Sequence, residues 1–289
     1  MTIIQQDVLN FLNNEASSNE YSFLEYLDEL KICDDKHNFR LFLKFLLAIS
    51  KNHHRYLNFF SKIELILKKY KKEIQQYYSN TEIFNIFKKN KRILLFLINQ
   101  KMLSMDNYIF NKFAYEYKYI DAKYPQYFAP EIKPFLTENW INKYKQRRSD
   151  SEWIDEVKLD LPDNFEENRQ KGENESYICQ LIQNDSVEEF IKYVNKTNYS
   201  LNSKIELSIY ETNSFLIKKS YSQSLINYAA FYGSIHIFQF LKFSGVDLNS
   251  SLWESTIHSN NPSLIHILEE NSVMLKYETL ISCLKQSIK

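Results

Sequence analysis

The chain has 289 residues, 44% of them apolar, with only 3 Gly and 5 Pro. Such a turn-poor composition excludes sandwiches, barrels and glycine-cradled nucleotide folds, and it favours helices. With 36 Lys and Arg against 36 Asp and Glu the net charge is zero, so no global field recruits nucleic acid or membrane.

In chain order, residues 7–12 and 21–30 are short amphipathic helix candidates. Residues 39–50 place Leu41, Phe42, Phe45, Leu46 and Ile49 on a broad apolar face. A turn at Lys51-Asn52-His53-His54 leads into a longer helix over 56–78. Thr81 reads as an N-cap, because its hydroxyl can accept a hydrogen bond from a free backbone N–H. A short helix over 82–87, a turn at Lys88-Lys89-Asn90 and a second helix over 91–100 follow, then one more over 108–119. Pro125, Pro130 and Pro134 break this rhythm. Residues 149–175 read as an acidic, mostly irregular connector. Helical pairing resumes at 177–183 and 187–194, and residues 196–223 form a long polar insertion expected to protrude. The expected organisation is a helical region over 1–123, a proline-containing acidic connector over 124–175 and a repeat region over 176–289.

Charge is segregated along this layout. Residues 62–101 carry ten Lys and Arg against Glu64, Glu73 and Glu82. Residues 151–190 carry twelve Asp and Glu against Lys158, Arg169 and Lys171. One reading is intramolecular complementarity between the two stretches. The other is a nucleic-acid or anionic-membrane binder built on Lys68 to Arg92, with Tyr70, Tyr77 and Tyr78 interleaved. Zero net charge and the commonness of solvated lysine faces disfavour that alternative.

The strongest signal lies at 224–245, SLINYAAFYGSIHIFQFLKFSG: helix, glycine turn, second helix, glycine stop. A second copy follows at 251–272, and Leu225 and Leu252 are 27 residues apart. Fixed short periods mark stacked helical repeats, in which each unit buries its apolar face only against its neighbours. Ser224-Leu225-Ile226-Asn227 stands where one repeat family has Thr-Pro-Leu-His, and Ala229-Ala230 stands at its small helix-packing pair. Gly233 matches the turn glycine, 237–241 the apolar second helix and Gly245 the helix stop. In these residues the chain resembles an ankyrin repeat. The next copy keeps the spacing with Leu252-Trp253-Glu254 at the tetrapeptide, Thr256-Ile257 at the small pair and Asn260 at the turn. Asn tolerates positive φ next best after glycine. Asp185 and Asn90 stand at the same turn in earlier pairs. A period of 27 against the family's roughly 33 leaves the hairpin fingers short or missing. The order of segments is similar to divergent ankyrin-type proteins expanded in parasitic protists, which carry a conserved domain of unknown function. The clear match covers about 177–271.

The resemblance implies an all-α, ankyrin-like helical-repeat solenoid of degenerate helix pairs. It further implies a non-catalytic scaffold that binds a protein partner through the concave side of the first helices. Residues expected on that side or at its tips are Asn227, Tyr228, Phe231, Tyr232, Asp247, Asn249, Glu254 and His258. Ala229, Ala230, Gly233, Gly245 and Asn260 are expected to hold the repeats. Trp253 is expected to pack between repeats, and the same packing is the alternative for Tyr228 and Phe231.

No catalytic, cofactor or metal site is expected. GxSxG, HExxH, GxGxxG and GxxxxGK[ST] are all missing from the sequence. Adjacent His53 and His54 point about 100° apart on a helix and ligate one ion poorly. His258 and His266 flank one turn without further ligands. Cys33, Cys179 and Cys283 form no CxxC pair, and the pattern leads us to expect a reduced, intracellular, cytoplasmic protein without structural disulfides. The first fifteen residues carry no signal-peptide pattern, and no apolar run reaches the roughly 20 residues that a membrane helix needs.

Overall fold

Few glycines and long runs of Leu, Ile, Phe, Lys and Glu leave the backbone free to satisfy its hydrogen bonds locally. A computed structural model of the chain describes residues 2–13, 20–52, 58–120, 123–218, 223–276 and 280. The described residues are all-helical, with 69% of them in helices. Among the described residues the one extended pairing is an isolated antiparallel bridge between Lys204 and Ser224. No helix there is long and apolar enough to cross a membrane. The chain divides into two units, residues 1–172 with 212–215, and residues 173–211 with 216–289.

The first unit begins with α1 (Thr2–Asn13), α2 (Glu20–Glu29), α3 (Lys36–Asn52) and α4 (Phe59–Lys69). Helix α3 runs through Lys51 and Asn52, which were expected as a turn; His53 and His54 lie outside the described residues. The long helix expected to run on to residue 78 is divided at Tyr70, which leaves helical geometry (φ −91°, ψ 20°) between α4 and α5 (Lys71–Tyr77). Burial explains the break: Tyr70 turns its ring between Phe39 and Phe42, and its hydroxyl donates to the Leu27 carbonyl (3.2 Å). Next come α6 (Asn80–Phe87), α7 (Lys91–Asn99) and α8 (Asn107–Ile120). The N-cap of α6 is Ser79 rather than Thr81. Ser79 and Glu82 form a reciprocal capping box, which satisfies two orphan donors at once.

Residues 124–172 depart most from expectation. They form α9 (Tyr124–Tyr127), α10 (Ala129–Ile132), a 3₁₀ turn (Lys133–Phe135), α11 (Glu138–Arg147), α12 (Glu152–Lys158) and α13 (Phe165–Lys171). The prolines sit in the first turns of the short elements, where the missing N–H costs nothing. Tyr124, Tyr127, Phe128, Tyr144, Trp153 and Phe165 are buried, so this segment is core rather than connector. Phe113 of α8 stacks on Phe128 (5.0 Å) and meets Tyr124 edge-on (5.1 Å). Each buried tyrosine hydroxyl finds a backbone carbonyl: Tyr124 donates to Lys88, Tyr127 to Arg169 and Tyr144 to Ala114.

The second unit holds α14 (Tyr177–Gln183) and α15 (Val187–Thr197), then, after α16 (Ser214–Lys218), α17 (Leu225–Tyr232) and α18 (Ile235–Phe243), and finally α19 (Leu252–Ser259) and α20 (Pro262–Glu270). α17 packs on both α14 and α19, and α15 packs on α18. First helices therefore contact first helices. The expected protrusion of the insertion is not seen over 204–213, where Ile205, Ser208, Tyr210 and Glu211 are buried; residues 219–222 lie outside the described residues.

Candidate functional site

The stacked first helices are positioned by turns that repeat from pair to pair. Asp185, Gly233 and Asn260 close α14, α17 and α19 with φ of 49°, 73° and 46°. Asn90 does not belong to this set; at φ −136° it is the N-cap of α7. After Gly233 and Asn260, a polar side chain reaches back one pair. The Ser234 hydroxyl donates to the Ile182 carbonyl, and Asn261 Nδ2 donates to the Gly233 carbonyl (3.1 Å). The Asp185 carboxylate accepts from the backbone N–H of His236 (3.1 Å) and Ile237 (3.0 Å), and so caps α18 from the preceding pair. His236 Nδ1 lies 2.7 Å from the same carboxylate. At the opposite end Ser224 caps α17 by accepting from the Asn227 N–H (3.3 Å). The Asn227 amide then meets the Ser251 hydroxyl (3.2 Å), which donates to Asn249 Oδ1 (2.5 Å). The tetrapeptide 224–227 thus ties neighbouring pairs through an amide and a hydroxyl.

Ala229 and Ala230 are fully buried, as a helix gripped on both sides requires. Gly245 takes φ 85° after α18. Of the expected partner contacts, three are corrected. Tyr228 (2% exposed), Phe231 (0%) and His258 (9%) are buried. The Tyr228 hydroxyl accepts from Gln183 Nε2 (2.9 Å), and Phe231 packs against the His258 ring (5.5 Å). A first helix with neighbours on both sides is apolar around most of its circumference, so aromatic residues there are structural. Asn227, Tyr232 and Glu254 are partly exposed, and Asp247 and Asn249 are exposed at the tips. Trp253 donates its indole N–H to the Val273 carbonyl (3.0 Å).

A strap of chain that sequence reasoning passed over completes this face. Ile205 N–H donates to the Gln223 carbonyl (2.7 Å), beside the Lys204–Ser224 bridge at the start of α17. Asn174 Nδ2 donates to the Glu206 carbonyl (2.9 Å), and the Ser208 hydroxyl donates to the Glu175 carboxylate. Gln183 links Asn174 and Tyr228, with its Nε2 3.3 Å from the Asn174 carbonyl. Glu211, 2% exposed, ends the strap near Tyr228 and Tyr232. Burial pushes both phenol pKa values well above the usual tyrosine range, and the Glu211 charge adds to the shift. The signal in the sequence was the apolar content of IELSIYE inside a stretch that otherwise reads as polar.

In the first unit the basic stretch is largely consumed internally. Lys62 is buried and donates to the Phe11 carbonyl (2.9 Å); Lys91 is buried over the Tyr127 ring. Lys69 pairs with Asp28 (2.5 Å), and Lys71 donates to the Gln100 carbonyl (2.6 Å). Arg92 stacks on Phe60 and lies 4.0 Å from Glu64, whose carboxyl pKa is raised by burial and only partly offset by Arg92. These two line a cleft of about 270 Å³ with Leu95, Phe96, Asn99, Gln100 and Gln170. Lys68, Lys72, Lys89 and Lys101 remain exposed. The acidic stretch meets bases close by: Glu131 and Glu166 hold Arg169, Glu167 holds Lys171 (2.6 Å), and Asp155 lies 3.8 Å from Lys145.

Burial pushes the Cys179 thiol up to about 11, against hydrogen bonds from Ser176 and Tyr228 that lower it. Burial also pushes Cys33 up to about 12, with Glu73 adding to the effect. Cys283 lies outside the described residues. Among the described residues no group of three or more His, Cys, Asp and Glu side chains is placed to hold a metal ion. No protein-family model, curated protein or solved structure matches this chain.

Proposed function

We propose that this chain is a non-catalytic interaction scaffold whose second unit binds a protein partner as an ankyrin-like stack of helix pairs. The observation that carries this reading is the repeated back-reaching bond, Ser234 to Ile182 and Asn261 to Gly233, which keeps successive first helices in register. Stacks of this kind present the outward positions of their first helices and connecting tips as one continuous surface. Asn227, Tyr232, Glu254, Asp247 and Asn249 occupy such positions. Buried Tyr228, Phe231 and His258 support the surface from beneath.

Affinity capture with the full chain tests the proposal. Asp247→Lys combined with Asn249→Lys is expected to reduce recovery of the specific partner at least about tenfold, equivalent to roughly 1.4 kcal/mol. Helical content, read by circular dichroism, should be unchanged. Undiminished recovery by this folded variant and by a folded Asn227→Ala/Tyr232→Ala variant would remove the proposed face. Recovery lost instead on Lys68→Glu/Lys72→Glu/Lys89→Glu, with steep salt dependence, would favour a polyanion ligand.

A further inference from the structure

Stacking alone does not require the strap. The step from α18 to α19 uses eight residues, 244–251, whereas the step from α15 to α17 uses 27, residues 198–224. Both steps deliver a first helix onto its predecessor. The extra length holds α16 and, ahead of it, a non-helical stretch over 198–213 that pairs with the start of α17 at the Lys204–Ser224 bridge. Within it, residues 205–208 are bonded to Gln223, just ahead of α17, and to the segment leading into α14. Asn174 grips the Glu206 backbone, Glu175 grips Ser208, and Gln183 ties Asn174 to Tyr228. Ile205 and Tyr210 are buried, and a carboxylate, Glu211, is taken out of water at the end. A carboxylate is buried at a large desolvation cost unless polar groups receive it, and here Tyr228 and Tyr232 lie within reach of its charge.

The seated segment defines what this face accepts: a non-helical segment with buried apolar anchors, a small hydroxyl residue between them and a terminal carboxylate. We propose that residues 205–211 are an intramolecular ligand, and that the partner carries an extended apolar–acidic peptide segment that takes the strap's place on the first helices. This rests on the scaffold reading above and names the chemical class of its partner. Binding is thereby regulated, because the free protein holds its own competitor at high effective concentration. Extended-peptide recognition draws affinity from main-chain bonds and specificity from side-chain pockets, which is the division of labour the strap displays.

The probe is a fluorescein-labelled peptide of sequence KIELSIYET, titrated into the full chain and followed by anisotropy. Ser208→Ala/Tyr210→Ala, which loosens the strap, is expected to bind it at least about tenfold tighter than the wild type. A second variant replaces residues 206–211 by a Gly-Ser segment of equal length and should behave in the same way. Changing the peptide's second glutamate to glutamine is expected to weaken binding by a similar factor. In the unaltered protein, excess peptide should accelerate amide hydrogen exchange across 205–211, a measurement that does not depend on either variant folding. Unchanged exchange, or folded variants that bind no better than the wild type, would overturn the proposal. Dimers of the loosened variant that exchange straps, without peptide binding, would overturn it in favour of self-association. If the Asp247/Asn249 variant loses its partner while strap variants change nothing, the scaffold stands and the strap proposal falls. If neither affects capture, the scaffold reading itself has failed.

Discussion

The two units secure their helices by different means. The second repeats one local device: a left-handed residue ends each first helix, and after Gly233 and Asn260 the next side chain reaches back to the pair before. The first relies on single, long-range arrangements that occur once each. Arg169, 4% exposed at its side chain, donates to Glu131, Glu166 and the Tyr127 carbonyl, while the Tyr127 hydroxyl returns a bond to the Arg169 carbonyl. Tyr124, Tyr144 and Trp153 close the same region. Damage to a repeated device should remain confined and modest, whereas removing a unique buried fork should disrupt everything it joins.

The largest expected effect is therefore in the first unit. Arg169→Ala leaves Glu131 and the Tyr127 carbonyl without their donor and should destabilise by about 3–5 kcal/mol. Thermal melts and hydrogen exchange in α9 and α13 would measure it. A loss below about 1 kcal/mol would mean that the fork is not what holds this region. Next comes alkaline pH, which tests both units together. Burial raises the pKa of Tyr127 in the first unit and of Cys179, Tyr228 and Tyr232 in the second. Above about pH 9 the unfolded chain loses protons that the folded chain keeps, so the unfolded state binds fewer protons and stability falls as pH rises. The stabilisation is fully present below the unfolded pKa values and is lost as pH climbs toward the folded ones. Denaturant midpoints measured from pH 8 to 11 should decline steadily. A flat profile would contradict the burial of these hydroxyls and thiols.

A smaller effect is expected at Gly233, where the repeated turn can be compared with itself. Added Cβ atoms meet nothing closer than Ser259 at 3.5 Å, so the cost of substitution comes from φ 73° rather than from crowding. Gly233→Val should cost on the order of 1–3 kcal/mol, because a β-branched residue resists that region. Gly233→Asn should cost less than half as much, since Asn260 holds the same conformation one pair later. Equal melting temperatures for Val and wild type would break the proposed equivalence of these turns.

The same contrast explains how much could be read from the sequence. Helix pairs of the second unit were legible because period, cap and turn residue all lie within about 25 residues of one another. The apolar pattern predicts the helix over 177–183 at the bounds observed, and the turn position predicts the positive φ that Asn260 takes. Residues 124–172 were not legible: α9, α10, α12 and α13 span only four to seven residues each, too few to show a helical period. Their acidity suggested solvent, yet the aromatic residues between the charges face α8 and one another. At the candidate site, the sequence placed Tyr228 and Phe231 on the right helix and the wrong side. Nothing local distinguishes an aromatic that faces solvent from one that faces a neighbouring helix. The strap required knowing where 205–211 lands, and that depends on Asn174 and Glu175 some thirty residues earlier.

The smallest predicted effect sharpens the comparison furthest, because it separates charge from geometry at one repeated turn. Asp185 both takes φ 49° and caps α18 of the next pair, whereas Gly233 supplies only the conformation and Ser234 the bond. Asp185→Asn keeps a residue that tolerates positive φ and an oxygen that can accept one N–H. It removes the negative charge from the N-terminus of α18, an interaction worth about 0.3–1 kcal/mol where exposed. The expected shift in melting temperature is correspondingly small and should shrink further in high salt. Asp185→Val loses conformation, cap and charge together, and should cost more than Gly233→Val, which loses only the first. If Asp185→Asn proves as damaging as Asp185→Val, charge rather than turn geometry dominates at this step, and the three turns are not one device repeated.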